Sequence, residues 1–325
     1  MKRLSQLFRL DASIWSTSLI FLAASSFMQR FGQGLLDAAT TNFFVEAQGL
    51  SGDQVLWLEG IREIPGLILI FIAALTMRLP LSYRTAASLV LAGIGYGLYA
   101  AVHSYTGLLV VAVLASLGLH MWMPLNSSLA LSLSPKGKTG SVMGTLNGIG
   151  SLAAIVGMGA LALISAVAVQ TPLSAYFIVG AVLFVIAGLL ILRVPPSAGA
   201  TDEAPPRMLL KGRYWLYYVL TFLQGSRKQV LNTFGTLVLV QTYGLQVQQI
   251  SLILTISSVI NLIGSPYLGR LLDRYGERVV LTTSYALLAL GCIGFAISSN
   301  IAFITVLLLI IKLLVILEIG LDTYV

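Results

Sequence analysis

Fourteen of the 19 Lys and Arg residues occupy every second connection between long apolar stretches, and the intervening connections hold none. The stretches run over roughly 14–44, 55–78, 84–102, 107–131, 140–168, 174–193, 214–241, 247–268, 279–298 and 301–325. Each is near the ~20 residues that carry a helix across a bilayer core. Lys2, Arg3 and Arg9 precede the first; Arg78 and Arg84 follow the second; Lys136 and Lys138 follow the fourth; Arg193, Arg207, Lys211 and Arg213 follow the sixth; Arg270, Arg274 and Arg278 follow the eighth. Lys and Arg concentrate in the cytoplasmic connections of membrane proteins. The chain therefore reads as an all-α polytopic membrane protein of the plasma (inner) membrane with ten crossings, its N-terminus and the basic connections in the cytoplasm.

Composition excludes the main alternatives. A 57% share of hydrophobic residues and a mean hydropathy of +0.92 exceed what the core of a soluble chain this long requires. The formal charge of +7 forms no basic run or basic helix face, so nucleic acid is not an expected partner. Cys292 is the single cysteine, which rules out an intramolecular disulfide and a thiolate metal cluster. Lys2 and Arg3 ahead of the Ile14–Ala24 run resemble a signal peptide, but the pattern continues through Arg30 and Asp37 and reads as a retained first helix.

Two bundles and a linker are expected. Residues 195–213, from Pro195-Pro196 through Pro205-Pro206-Arg207 to Arg213, are the one long polar segment and suit a cytoplasmic linker. It divides a six-helix bundle, 1–194, from an incomplete four-helix bundle, 214–325. An internal repeat relates the two: Gly49-Leu50-Ser51-Gly52-Asp53-Gln54-Val55 matches Gly244-Leu245-Gln246-Val247-Gln248-Gln249-Ile250 at an offset of 195 residues. At that offset Asp37 falls on Asn232 and Phe27 on Phe222. Parallel repeats about an axis along the membrane normal are one plan on which transporters are built.

Between the eighth and ninth stretches stands Gly264-Ser-Pro-Tyr-Leu-Gly269-Arg270-Leu-Leu-Asp273-Arg274-Tyr-Gly276-Glu-Arg278-Val-Val-Leu281. This segment resembles the cytoplasmic loop signature of the major facilitator superfamily, Gly-x-Leu-x-Asp-Arg-x-Gly-x-Arg. Gly269 permits close helix approach, Gly276 suits a tight turn with positive φ, and Asp273 can pair with Arg274 or Arg278. The resemblance implies an MFS-like fold of two pseudo-symmetric helical bundles, in which this loop latches one access state. It also implies twelve helices as the usual number, so a chain that stops at Val325 within its tenth helix is expected to be a fragment. The first-half counterpart, Arg78-Leu79-Pro80-Leu81-Ser82-Tyr83-Arg84, keeps basic residues without the Gly and Asp. Gly140, Gly144 and Gly148 sit where some members carry an antiporter signature, but the expected Gly-Pro pair is absent and a helix-packing seam is the simpler expectation.

Ionisable residues also lie within the apolar stretches: Arg30, Asp37, Glu59, Arg62, Glu63, Arg227, Lys228, Lys312, Glu318 and Asp322. Each would cost roughly 2.5–3.5 kcal/mol facing lipid at a helix centre, so these groups are expected to face a polar cavity and to pair. Arg30, Gln33, Asp37 and Thr41 share one helix face, with Arg30–Glu63 and Asp37–Arg62 as expected partners. Gln224, Lys228 and Asn232 form a second stripe beside Arg227. These residues, Arg30, Gln33, Asp37, Arg62, Glu63, Gln224, Arg227, Lys228 and Asn232, are the candidate substrate and coupling cavity. Asp37 is the expected coupling carboxylate should protons drive the process. A purely structural ion-pair network is the competing reading.

Enzyme chemistry and cofactors are not expected. His103 and His120 lack metal-ligand spacing and read as ordinary polar residues. Gly157-Met-Gly-Ala-Leu-Ala162 lies within a helix with no preceding strand, and no phosphate-binding Gly-Lys-Ser/Thr loop is present, so ATP is not the direct driver. The expected function is secondary active transport of a small solute by alternating access, with protons as the candidate coupling ion. A transporter-like membrane sensor or scaffold that binds a ligand without moving it is the alternative.

Overall fold

The computed structural model of the chain describes residues 15–136, 138–168, 170–199 and 233–314, together with 212, 215 and 219; for 70, 74, 140, 141, 265–274 and 277 it describes the backbone alone. Every regular element among the described residues is a helix. In chain order these are α1 (Thr17–Asn42, continued by a π turn, Phe43–Ala47), α2 (Gly52–Arg62), α3 (Ile64–Thr76), α4 (Leu81–Leu98, then a 3₁₀ turn, Tyr99–Ala101), α5 (Tyr105–Leu133), α6 (Thr139–Val167), α7 (Leu173–Ile191), α8 (Gly235–Gln241), α9 (Val247–Tyr275), α10 (Glu277–Ile297) and α11 (Ile301–Leu314). Among the described residues five helices are long and apolar enough on their own to cross a membrane: α5, α6, α7, α9 and α10. Polar residues set α1 and α2 apart, and α1 alone carries Arg30, Gln33 and Asp37.

Helix boundaries follow local chemistry. Ser104 caps α5, its Oγ accepting from Gly107 N at 3.2 Å, and Pro172 and Pro80 stand at the N-caps of α7 and α4. The expected helix over 55–78 is broken at Glu63. Pro65 has no N–H and its ring crowds the carbonyl four residues back, so the ladder cannot run through it. Gly66 N bonds Glu63 O at 3.0 Å instead. Beyond the break, Ile64, Leu67, Ile68, Phe71 and Leu75 are exposed along one face of α3, a stripe suited to lipid.

The chain forms two compact units: Met1–Asp37 with Ala47–Gly157 and Gln170–Ala204, and Ala38–Glu46 with Met158–Val169 and Pro205–Val325. In the first, small residues let helices approach to backbone contact. A Cβ on Gly95 of α4 would lie 2.5 Å from Ala115 Cα of α5, and one on Gly118 of α5 would lie 2.4 Å from Ala92 N. Tyr96 packs on Phe184, and Tyr99 stacks on Phe177 at 5.1 Å between centroids, closing α4 onto α7. Helix α1 meets α7 where Ser25 Oγ donates to Ala187 O at 2.8 Å.

Helix α6 meets α1 through other glycines than the 140–144–148 face. A Cβ on Gly157 would fall 2.3 Å from Phe31 O and one on Gly150 would touch the Arg30 stem at 3.1 Å, whereas among the described residues Cβ atoms on Gly144 and Gly148 would meet nothing within 4 Å.

In the second unit α8, α10 and α11 enclose a cavity of about 470 Å³ lined by Phe234, Val238, Phe295, Ile304, Leu308 and Ile311 among others. The internal repeat appears here in backbone detail. Gly49 and Gly244 both have positive φ, 64° and 67°, a conformation glycine enters without a steric penalty. After each, a glutamine side chain reaches back to a backbone N–H three residues earlier: Gln54 Oε1 accepts from Ser51 N at 3.0 Å, and Gln249 Oε1 from Gln246 N at 2.9 Å. Thr41 and Thr236, also 195 apart, bond one another at 3.1 Å. The signature segment is helical further than expected, since α9 continues through Gly269, Asp273 and Arg274 to Tyr275. Gly276 alone then makes the turn, with φ 76° as expected. Arg278 follows, exposed, at the start of α10.

Candidate functional site

In the first unit the break at Glu63 builds the site. Because Gly66 N turns to Glu63 O, the Arg62 carbonyl loses its usual helical donor. Ser116 of α5 supplies the replacement, its hydroxyl donating to Arg62 O. One turn further along α5, His120 Nδ1 lies 3.0 Å from both Ser116 O and Ser116 Oγ. The opposite ring nitrogen, Nε2, stands 3.4 Å from Glu63 Oε2. Gly66 makes room for this ring, since a Cβ there would lie 2.8 Å from His120 Cδ2.

Arg62 bonds Glu59 at 2.6 Å and stands 3.8 Å from Glu63. Glu59 is buried, so this contact holds a carboxylate that burial would otherwise destabilise. On α1, Gln33 Nε2 donates to Asp37 Oδ1 at 2.6 Å, and the field of Asp37 reaches Arg30. The Arg30 guanidinium lies 5.4 Å over the ring of buried Trp122, a cation–π arrangement. Arg30 and Asp37 are nevertheless exposed. Within helices of membrane length, exposed charges of this kind belong on a water-filled surface rather than against lipid.

Arg30, Gln33, Asp37, Arg62 and Glu63 thus lie on helices of one unit, with partners drawn differently from the expected set. The 2.6 Å partner of Arg62 is Glu59 from its own helix, and Glu63 turns to His120. Glu63 caps α2 at the break, and its carboxylate stands 3.4 Å from His120 there. Gln224, Arg227, Lys228 and Asn232 lie outside the described residues, as do Glu318 and Asp322, and the side chains of Asp273 and Arg274 are not described. Sequence reasoning did not single out Ser116 and Trp122, and it set His120 aside. The available signal was a second polar stripe, Ser116 and His120 four apart in an otherwise apolar helix. Gln29 was also passed over; it is 1% exposed, and neither amide atom has a partner among the described residues.

Several solved structures share the fold. The nucleoside transporter NupG superposes with a TM-score of 0.76 at 17% identity, covering 95% of this chain and 81% of that one. A bacterial homologue of the iron transporter ferroportin in an inward-facing state gives 0.70 at 18%, covering 95% and 84%. A bacterial homologue of the human lysosomal transporter Spinster gives 0.66 at 14%, covering 95% and 75%. No curated protein sequence matches the chain. The sequence profile of the Major Facilitator Superfamily matches residues 22–324, and the chain, an integral membrane protein, belongs to that family of transporters.

Proposed function

We propose that this chain moves a small polar solute across the plasma (inner) membrane as a secondary active transporter, by alternating access of two bundles, 1–194 and 214–325, joined by a cytoplasmic linker at 195–213. The observation that carries the reading is the exposed charged face of α1, where Arg30, Gln33 and Asp37 stand one turn apart within a membrane-length helix. An inert ion-pair network would bury such charges against one another. An exposed cation and carboxylate with a half-buried amide between them, the cation over an aromatic ring, can instead hold a solute that offers both donors and acceptors. Gln224, Arg227, Lys228 and Asn232 are proposed to complete the cavity, and Gly269, Asp273, Arg274, Gly276 and Arg278 to gate it. Protons are proposed as the driving ion, and the N-terminus is assigned to the cytoplasm from the fourteen sorted charges.

The fold shared with NupG makes nucleosides a sensible first class of probe. Proteoliposomes under an imposed inward proton gradient would be offered labelled uridine, a hexose, a neutral amino acid and a small organic anion. At least one should accumulate above the level in protein-free vesicles and leave when a protonophore is added. If a probe binds the purified chain but none enters the vesicles, the chain is a ligand-binding membrane protein rather than a transporter.

A further inference from the structure

We propose that Glu63 and His120 form the proton-binding site of the first unit, holding one transferable proton between Glu63 Oε2 and His120 Nε2. The proposal deepens the transporter reading, resting on it for the proton's use but not for its binding. The hydrogen-bond inventory carries it. A serine hydroxyl has one proton, and that of Ser116 goes to Arg62 O. Ser116 therefore cannot also donate to His120 Nδ1, although its Oγ and O both lie 3.0 Å away. Nδ1 must be the donor. In a neutral imidazole with Nδ1 protonated, Nε2 is a bare acceptor. Here it faces a carboxylate oxygen at 3.4 Å, so a proton on Nε2 turns two facing acceptors into an ion pair.

Among the described residues, Arg62 stands beside the pair, 3.8 Å from Glu63. Arg62 is already committed to Glu59 at 2.6 Å, and Asp37 accepts from Gln33, so Glu63 is the carboxylate with an imidazole as its close partner. Imidazole is the side chain that changes charge near neutral pH, and the pair remains reachable: the Glu63 side chain is 44% exposed and that of His120 26%. A proton can therefore come and go.

The chain contains two histidines, His103 and His120, so ring-¹⁵N histidine NMR of the full chain in nanodiscs gives two sets of signals, assigned with His103→Gln. At pH 7 His120 should show both ring nitrogens protonated. Glu63→Gln should replace that pattern with the neutral ring, while His103 and the elution profile stay unchanged as evidence of an intact fold. A neutral His120 in the unsubstituted chain, or a charged ring that survives Glu63→Gln, overturns the site. His120→Gln should then lose gradient-driven accumulation of whichever probe is transported while keeping its counterflow. Accumulation that persists in His120→Gln overturns the coupling role. The expected NMR result without movement of any probe leaves the proton site standing and removes the transporter reading instead.

Discussion

Glu59 is a buried carboxylate that Arg62 meets at 2.6 Å. Replacing Arg62 by Met removes that partner, and removing one member of a buried pair costs about 3–5 kcal/mol. The single variant should unfold well below the parent in a thermal melt in detergent, and Glu59→Gln combined with Arg62→Met should recover most of the loss. Equal stability of the two variants would mean that the 2.6 Å contact contributes nothing. Gly66 gives a second test at this scale. Its Cα carries no side chain where the His120 ring lies, and a Cβ would meet that ring at 2.8 Å. Gly66→Val should displace the imidazole and abolish its charged signal at pH 7 without removing Glu63 or His120. An unaltered signal would show that the ring is held by something other than this contact. Asp37, the sequence-based choice for the proton, already accepts from Gln33 and lies in the field of Arg30. Its neutral variant should weaken solute binding more than it uncouples transport.

Helices were legible where hydropathy alone decides them, as in α5, α7 and α10, and their turns where a residue type forces the backbone, as at Gly49, Gly244 and Gly276. The partners of the charges were not legible, because they depend on a kink. Pro65 was visible in the sequence, yet how far it turns Glu63 toward α5 follows from where Gly66 N finds its acceptor, a tertiary outcome. The α6 face that meets α1 was not legible for a related reason: several glycines on one helix satisfy a spacing rule, and only the neighbour decides which are used. The two readings separate experimentally. Gly157→Leu drives a side chain into the Phe31 carbonyl and should destabilise the chain by at least the ~1–3 kcal/mol of an overpacked contact, whereas Gly148→Leu should change the melt little. Similar losses at both positions would restore the 140–144–148 face as the seam.

For the whole molecule, orientation comes first, because every assignment of inside and outside rests on fourteen charges in alternate connections. In a Cys292→Ser background, since Cys292 is exposed, a cysteine at Ser51 should react with an impermeant thiol reagent added outside intact cells and one at Ser197 should not. The reverse pattern would invert the topology. Transport itself is tested most directly by the proton that should accompany the solute. Proteoliposomes carrying an internal pH dye, with no imposed gradient, would receive an inward gradient of whichever probe accumulates. The account predicts that internal pH falls as the solute enters, and that the fall disappears in His120→Gln while labelled solute still crosses. Entry of the solute with no change in internal pH in the unsubstituted chain would contradict it.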